Sequence, residues 1–173
     1  MCEQVIIHSG LDYTIVRASW FNQNFSESFF LEPIIEGFVA LPQAEAKVPY
    51  VDTDDIAEVA VKVLLDDAHN GKIYQLTGER LLTFEEVIQE IAVATNREIS
   101  FTPITLVAYT NAMKQQGVPA DFIWLVDYLF SEVLVNPSNS EVTKDIELVL
   151  GRKAKDISQY IKETAATGVW NNN

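Results

Sequence analysis

Ser9-Gly-Leu-Asp-Tyr-Thr-Ile-Val-Arg-Ala-Ser-Trp-Phe-Asn-Gln-Asn24 is the stretch on which the reading of this chain turns. Ser9-Gly10 signals a turn. Tyr13-Thr-Ile-Val-Arg17 is rich in β-branched and aromatic residues, nearly continuous in apolar character and bounded by turn residues, the pattern of a buried parallel strand. Ala18 to Phe21 follow the carboxyl end of that strand, where open α/β sheets place their ligands. Trp20 and Phe21 supply flat apolar surface and Asn24 a hydrogen-bonding amide. The same aromatics also suit a core, and Asn24 also suits a helix cap. Arg17, closing a buried strand, needs a carboxylate partner and reads as half of a structural ion pair rather than a substrate clamp.

Working outward, Glu3 to His8 reads as the end of a helix. Asn22 to Glu36 is helix-like, with Phe25, Phe29 and Phe30 near helical spacing and a break at Pro33. Phe38–Leu41 and Lys47–Val51 read as two short strands around a turn. Asp52, Thr53, Asp54 and Asp55 gather acceptors and negative charge where a helix N-terminus favours them. That position accounts for the carboxylates without a metal. Ile56, Val59, Ala60, Val63 and Leu64 then form an apolar stripe, and the helix closes near Asp67. Tyr50, just ahead of the carboxylates, is a candidate to point into a pocket, but a place at the surface or in the core suits it better.

Lys72–Leu76 reads as a strand. Thr83 and Glu86 form a capping-box pattern ahead of a second stripe, Phe84, Val87, Ile88, Ile91 and Ala92. Ile99 to Ile104 is strand-like. Leu106 to Leu134 is mostly helical, broken at Gly117-Val-Pro119, and its run Phe122, Trp124, Leu125, Tyr128, Leu129 and Phe130 reads as a helix buried on more than one side. Thr143–Leu150 and Ile157–Glu163 read as closing helices, the second started by Asp156. The order is α/β: one domain over 1–173, with a partial sheet in 1–104 and helices in 105–173.

Composition narrows the function classes. With 25 acidic against 12 basic residues the net charge is −13, a field that repels nucleic-acid phosphates. No apolar run reaches the roughly 18 residues that span a bilayer, and the N-terminus lacks the basic residues of a signal peptide. The expectation is a cytoplasmic protein that binds neither nucleic acid nor membrane. Cys2 is the only cysteine, and His8 and His69 are the only histidines. No cysteine-built or multi-histidine metal site follows, and all three read as spectators.

The pieces resemble the NmrA-like branch of the atypical short-chain dehydrogenase/reductases, an NAD(P)-binding Rossmann family. Arg17-Ala-Ser-Trp-Phe21-x-x-Asn24 is similar to that family's Arg-Pro-x-x-Phe-x-x-Asn, with Ala18 in the proline's place. Val51-Asp-Thr-Asp-Asp-Ile-Ala57 is similar to its Val-Asp-Val-x-Asp-Ile-Ala helix start, and Gly71-Lys-Ile-Tyr-Gln-Leu-Thr-Gly78 to its next strand. Gly117-Val-Pro119, Val142-Thr-x-Asp145 and Leu150-Gly-Arg152 follow in the family's order. The implied fold is a partial Rossmann-like parallel sheet with flanking helices and a C-terminal helical cap.

The resemblance implies that Ala18, Ser19, Trp20 and Phe21 lie against the nicotinamide of NAD(P)H. It places Trp20, Phe21, Asn24 and Tyr50 toward the substrate, and the 122–130 stretch in a cap above it. The family's Gly-x-x-Gly-x-x-Gly turn, whose backbone approaches the pyrophosphate, has no counterpart: no two of the seven glycines lie within six positions of each other. No Tyr-x-x-x-Lys occurs either. The expectation is the substrate-binding portion of an NAD(P)H-dependent reductase of quinones or other small planar acceptors, inactive and without tight cofactor binding when alone. The alternative is a regulatory or protein-interaction module of the same family. A strand such as 13–17, deprived of neighbours, would leave an unpaired sheet edge and bare helix faces. That predicts a homo-oligomer or edge pairing with another chain.

Overall fold

Two pairs of parallel strands carry the architecture of the computed structural model, which describes residues 2–171. The elements run α1 (Cys2–Ile7), β1 (Thr14–Ala18), α2 (Leu31–Glu36), β2 (Phe38–Leu41), α3 (Thr53–Leu64), β3 (Lys72–Leu76), α4 (Phe84–Thr95), β4 (Ser100–Pro103), α5 (Leu106–Gln115), α6 (Ala120–Tyr128), α7 (Asp145–Leu150) and α8 (Ile157–Thr167). Short 3₁₀ turns occupy Asn22–Phe25, Asp67–His69 and Pro137–Ser140, and a π-helical turn spans Leu129–Val133. The side chain of Cys2 lies outside the described part, so its expected spectator role is not addressed.

β1 pairs with β3, Thr14 opposite Lys72 and Ala18 opposite Leu76, while β2 pairs separately with β4. The sheet fragment is therefore two ribbons rather than one run of strands. The main core lies between the β2–β4 ribbon and helices α2, α4, α5, α6 and α8. Phe84 is its hub, with its ring against Trp20, Phe25, Phe30, Tyr50 and Phe130 at centroid distances of 5.3–6.5 Å. A smaller core beneath β3 gathers Val51, Val59, Tyr74, Leu76, Ile146 and Val149. Residues 105–171 divide in their packing: α5 and α6 pair with each other, α7 lies on α3 and β3, and α8 lies on α4.

Local chemistry explains the best-formed elements. Thr83 Oγ1 accepts the Glu86 N–H while the Glu86 carboxylate accepts the Thr83 N–H, closing the capping box of α4. Asp52 caps α3 through the Asp54 N–H at 2.8 Å, and Asp156 caps α8 through Ser158 at 2.9 Å. Gly78 has no room for a side chain, since a Cβ there would fall 2.0 Å from the Tyr50 carbonyl oxygen. This close crossing holds the end of β3 against the 49–51 segment, and the Gly78 N–H donates to the Pro49 carbonyl.

Several expectations are corrected. β1 is not a buried strand: only Ile15 is buried, because β3 is its sole ladder partner among the described residues. Arg17 has an ion-pair partner, but at the surface, where its guanidinium grips Glu3 of α1 at 2.9 and 2.5 Å. Pro33 does not break a helix. It sits in the first turn of α2, where a missing N–H costs nothing. Lys47–Val51 forms no strand; it makes isolated bridges, Val48 with Leu82 and Val51 with Phe21. The α3 stripe buries only Val59 among its apolar residues, with Leu64 81% exposed. α6 is covered on one side only: Ile123 and Val126 point inward, whereas Phe122, Trp124, Leu125 and Tyr128 are exposed.

Candidate functional site

A cavity of about 300 Å³ opens at the carboxyl end of β1. Ala18, Ser19, Trp20, Phe21 and Asn24 line it, joined by Phe29, and Leu129 and Val133 roof it. The backbone holds the first wall in place. Ser19 N–H donates to the Leu76 carbonyl at 2.9 Å, extending the β1–β3 ladder by one residue. Trp20 and Asn22 straddle Val51: the Val51 N–H donates to the Trp20 carbonyl and the Asn22 N–H to the Val51 carbonyl, each at 2.9 Å. Gln23 ties the following turn to α3. Its amide donates to Asp52 at 3.3 Å, and its carbonyl accepts the Thr53 N–H at 3.1 Å.

The aromatic wall is fixed from behind. Trp20 meets Phe84 and Phe130 edge-on, each at 5.8 Å, which sets the plane of the indole. Phe29 packs on Phe30 at 4.2 Å. The π-helical turn brings Leu129 and Val133, four residues apart, to one side. Such turns are frequent at functional sites.

Of the six residues singled out from sequence, five share this cavity and Tyr50 does not. Tyr50 lies in the core against Phe25 and Phe84, 3% exposed. Its hydroxyl has no hydrogen-bond partner among the described residues, and neither amide atom of the buried Asn22 has one. Burial pushes the Tyr50 phenol well above its usual value, with the negative charge of Glu86 adding to the effect. Phe29 and Val133 were not singled out from sequence. Their one local signal is apolar character beside a turn, which does not distinguish wall from core.

The carboxylates at the start of α3 serve structure. Asp55 is fully buried, its Oδ1 2.7 Å from the Arg152 guanidinium and its Oδ2 accepting the Lys155 N–H at 2.7 Å. The Lys155 ammonium lies 3.3 Å from Asp52 and 3.0 Å from Asp54. Burial alone would lower its pKa, but these carboxylates outweigh that and hold it raised. No cluster able to hold a metal occurs among the described residues. His69 Nδ1 meets the Tyr74 hydroxyl at 2.7 Å and His8 Nδ1 the Gln4 carbonyl at 2.7 Å, both away from the cavity.

These residues do not fit the diphosphate of a dinucleotide. The N-termini of α3, α4, α5 and α8 are closed by Asp52, Thr83, Thr105 and Asp156. At α3 the added charge of Asp54 and Asp55 opposes a phosphate. The cavity itself can hold a flat apolar ring and offer it a few neutral hydrogen bonds.

Parallel strands joined through helices, with a cavity at a strand's carboxyl end, define a Rossmann-like α/β protein. The model of the NmrA-like family matches residues 1–161, and the chain belongs to that family. It is 28% identical over 162 residues to the prestalk A differentiation protein A of Dictyostelium discoideum, covering 94% of this chain and 54% of that protein. It is 30% identical over 166 residues to the NAD(P)H azoreductase of Xenophilus azovorans, covering 95% and 57%. The NADPH-dependent quinone oxidoreductase of Escherichia coli, solved with NADPH, superposes with a TM-score of 0.79 at 21% identity, over 93% of this chain and 56% of that one. The chain thus spans little more than half the length of these relatives. No helix among the described residues is long and apolar enough to cross a membrane.

Proposed function

We propose that this chain is the acceptor-binding side of an NAD(P)H-dependent reductase whose dinucleotide-binding side is supplied by other residues. The observation that carries the reading is the 300 Å³ cavity, which gathers the 18–24 segment at the carboxyl end of β1 under an apolar roof. A small planar acceptor of the quinone type suits its dimensions and its flat walls. Trp20, Phe21, Asn24 and Phe29 would hold the acceptor, while Ala18 and Ser19 would face the nicotinamide. NAD(P)H supplies hydride when bound. The role of this chain's residues is to hold the acceptor flat and to exclude water from it. Relatives that act with NAD(P)H, on azo compounds or quinones, support this reading through shared family and fold.

The bare edge of β1 is where the dinucleotide-bearing part would dock, in the same polypeptide or in another, and we place the protein in the cytoplasm. Left uncovered, that edge would favour self-association into a homo-oligomer. One observation favours a second reading, a regulatory or protein-interaction module: the exposed face of α6, where Trp124 and Tyr128 stack nearly parallel at 5.8 Å.

The test is NADPH oxidation with 1,4-naphthoquinone. The 173 residues alone should show no turnover. Mixing with the dinucleotide-binding half of the Xenophilus azovorans azoreductase should restore it. Turnover by the 173 residues alone would overturn the reading.

A further inference from the structure

We infer that the 18–24 cavity selects uncharged planar ligands bearing carbonyl-type acceptors and rejects the same ring once it carries an anion, an inference that rests on the acceptor-site reading above. None of the eight residues lining the cavity is ionisable. The adjacent cation, Arg17, has its guanidinium engaged by Glu3 at 2.9 and 2.5 Å. In sequence, the charges flanking the roof residues Leu129 and Val133 are Asp127 and Glu132, both acidic and exposed. An anion held against these walls would gain no counter-charge for the hydration it gives up, and covering an unpaired charge is unfavourable. The net charge of −13 adds long-range repulsion to the approach.

What remains for polar recognition is neutral. The Ser19 hydroxyl, the Trp20 indole N–H and the Asn24 amide make no hydrogen bond to the described residues, and none is among the atoms sealed in the core. All three can donate, and the indole can do nothing else. Donors beside the flat faces of Trp20, Phe21 and Phe29 suit a ring whose carbonyl oxygens accept. A site built to hydrogen-bond a ligand group also discriminates against ligands that lack it.

The experiment follows the indole N–H signals of Trp20, Trp124 and Trp170 by nitrogen–proton correlation NMR, assigned with Trp20→Phe. The titrants are 1,4-naphthoquinone and its 2-sulfonate. Trp124 is 67% exposed on α6, and the Trp170 N–H donates to the Phe25 carbonyl, so these two signals report surface binding and folding. Naphthoquinone should shift the Trp20 signal saturably, with the sulfonate bound at least tenfold more weakly. Asn24→Leu should weaken naphthoquinone at least threefold while the Trp124 and Trp170 signals stay in place. A sulfonate affinity within tenfold of the neutral quinone's, or tighter, would overturn the charge selectivity and leave the acceptor site standing. Unchanged affinity in Asn24→Leu would overturn the carbonyl contact. A Trp20 signal that neither compound moves would overturn the acceptor-site reading and this inference with it.

Discussion

Along β3 the outer edge is stitched by residues 138–145. Asp145 accepts the Gln75 N–H at 2.7 Å, the Thr143 hydroxyl donates to the Gln75 carbonyl, and the Thr143 N–H donates to Thr77 Oγ1 at 3.0 Å. Along β1, one strand away, no segment among the described residues does the same work. A parallel strand with one neighbour leaves alternate N–H and C=O groups without a ladder partner. The helices repeat the contrast. α3 and α4 are both twelve residues long, both capped, both striped. α4 buries Phe84, Val87, Ile88 and Ile91 completely and exposes Val93, whereas α3 buries Val59 alone of its apolar residues and leaves Val61 and Leu64 at 57% and 81% exposed. The difference teaches where the described residues close on themselves: the β3 and α4 side is covered by its own chain, and the β1 and α3 side presents a strand with one ladder partner and an exposed apolar helix face.

The largest expected effect lies on the closed side. Phe84→Ala removes the ring on which Trp20, Phe25, Phe30, Tyr50 and Phe130 converge. It should cost about 3–5 kcal/mol in urea unfolding and loosen the cavity wall with it. A loss under 1 kcal/mol would mean that the aromatic hub does not hold the site.

Cutting the stitch should cost less. Asp145→Ala strands a backbone donor and should cost about 1–2 kcal/mol. Amide exchange at Gln75 should accelerate in that variant. Unchanged exchange would show that the two edges are alike after all.

A smaller effect is expected with pH. Burial alone would raise the Asp156 carboxyl, but hydrogen bonds from Arg80, at 2.8 and 2.9 Å, and from Ser158 outweigh it and hold it below its usual value of 3.8. A carboxyl lowered on folding stabilises above its unfolded pKa and loses that contribution as pH falls through the folded one. Thermal stability should therefore fall off below about pH 4, less steeply in Arg80→Met. Equal slopes would remove this pair from the account of how α8 is fastened.

The smallest effect is predicted on the open side. Leu64→Ala should change stability by no more than about 0.5 kcal/mol in dilute protein. A loss above 2 kcal/mol, growing with protein concentration, would show that a second copy already covers α3.

How far sequence reaches follows from the range of the forces involved. The capping box at Thr83 and Glu86 and the caps at Asp52 and Asp156 are local, written within four residues, and are legible. The wall from Ala18 to Asn24 is legible for the same reason, being contiguous at a strand end. The roof is less so, because nothing local to Leu129 and Val133 says which distant segment they will face. Tyr50 reads as surface or core more readily than as wall, and the crossing at Gly78 places it in the core. The stitch from Thr143 and Asp145 to Gln75 spans about seventy residues of chain, and no local pattern announces it. Periodicity marks the α3 stripe correctly as apolar, but what covers a stripe depends on the residues packed against it.

Isothermal titration calorimetry of NADPH into the 173-residue chain tests most directly the proposal that these residues form the acceptor side, at the end of β1, and not a dinucleotide site of their own. The account predicts no saturable heat from these residues alone. A tight one-to-one complex with NADPH would contradict it.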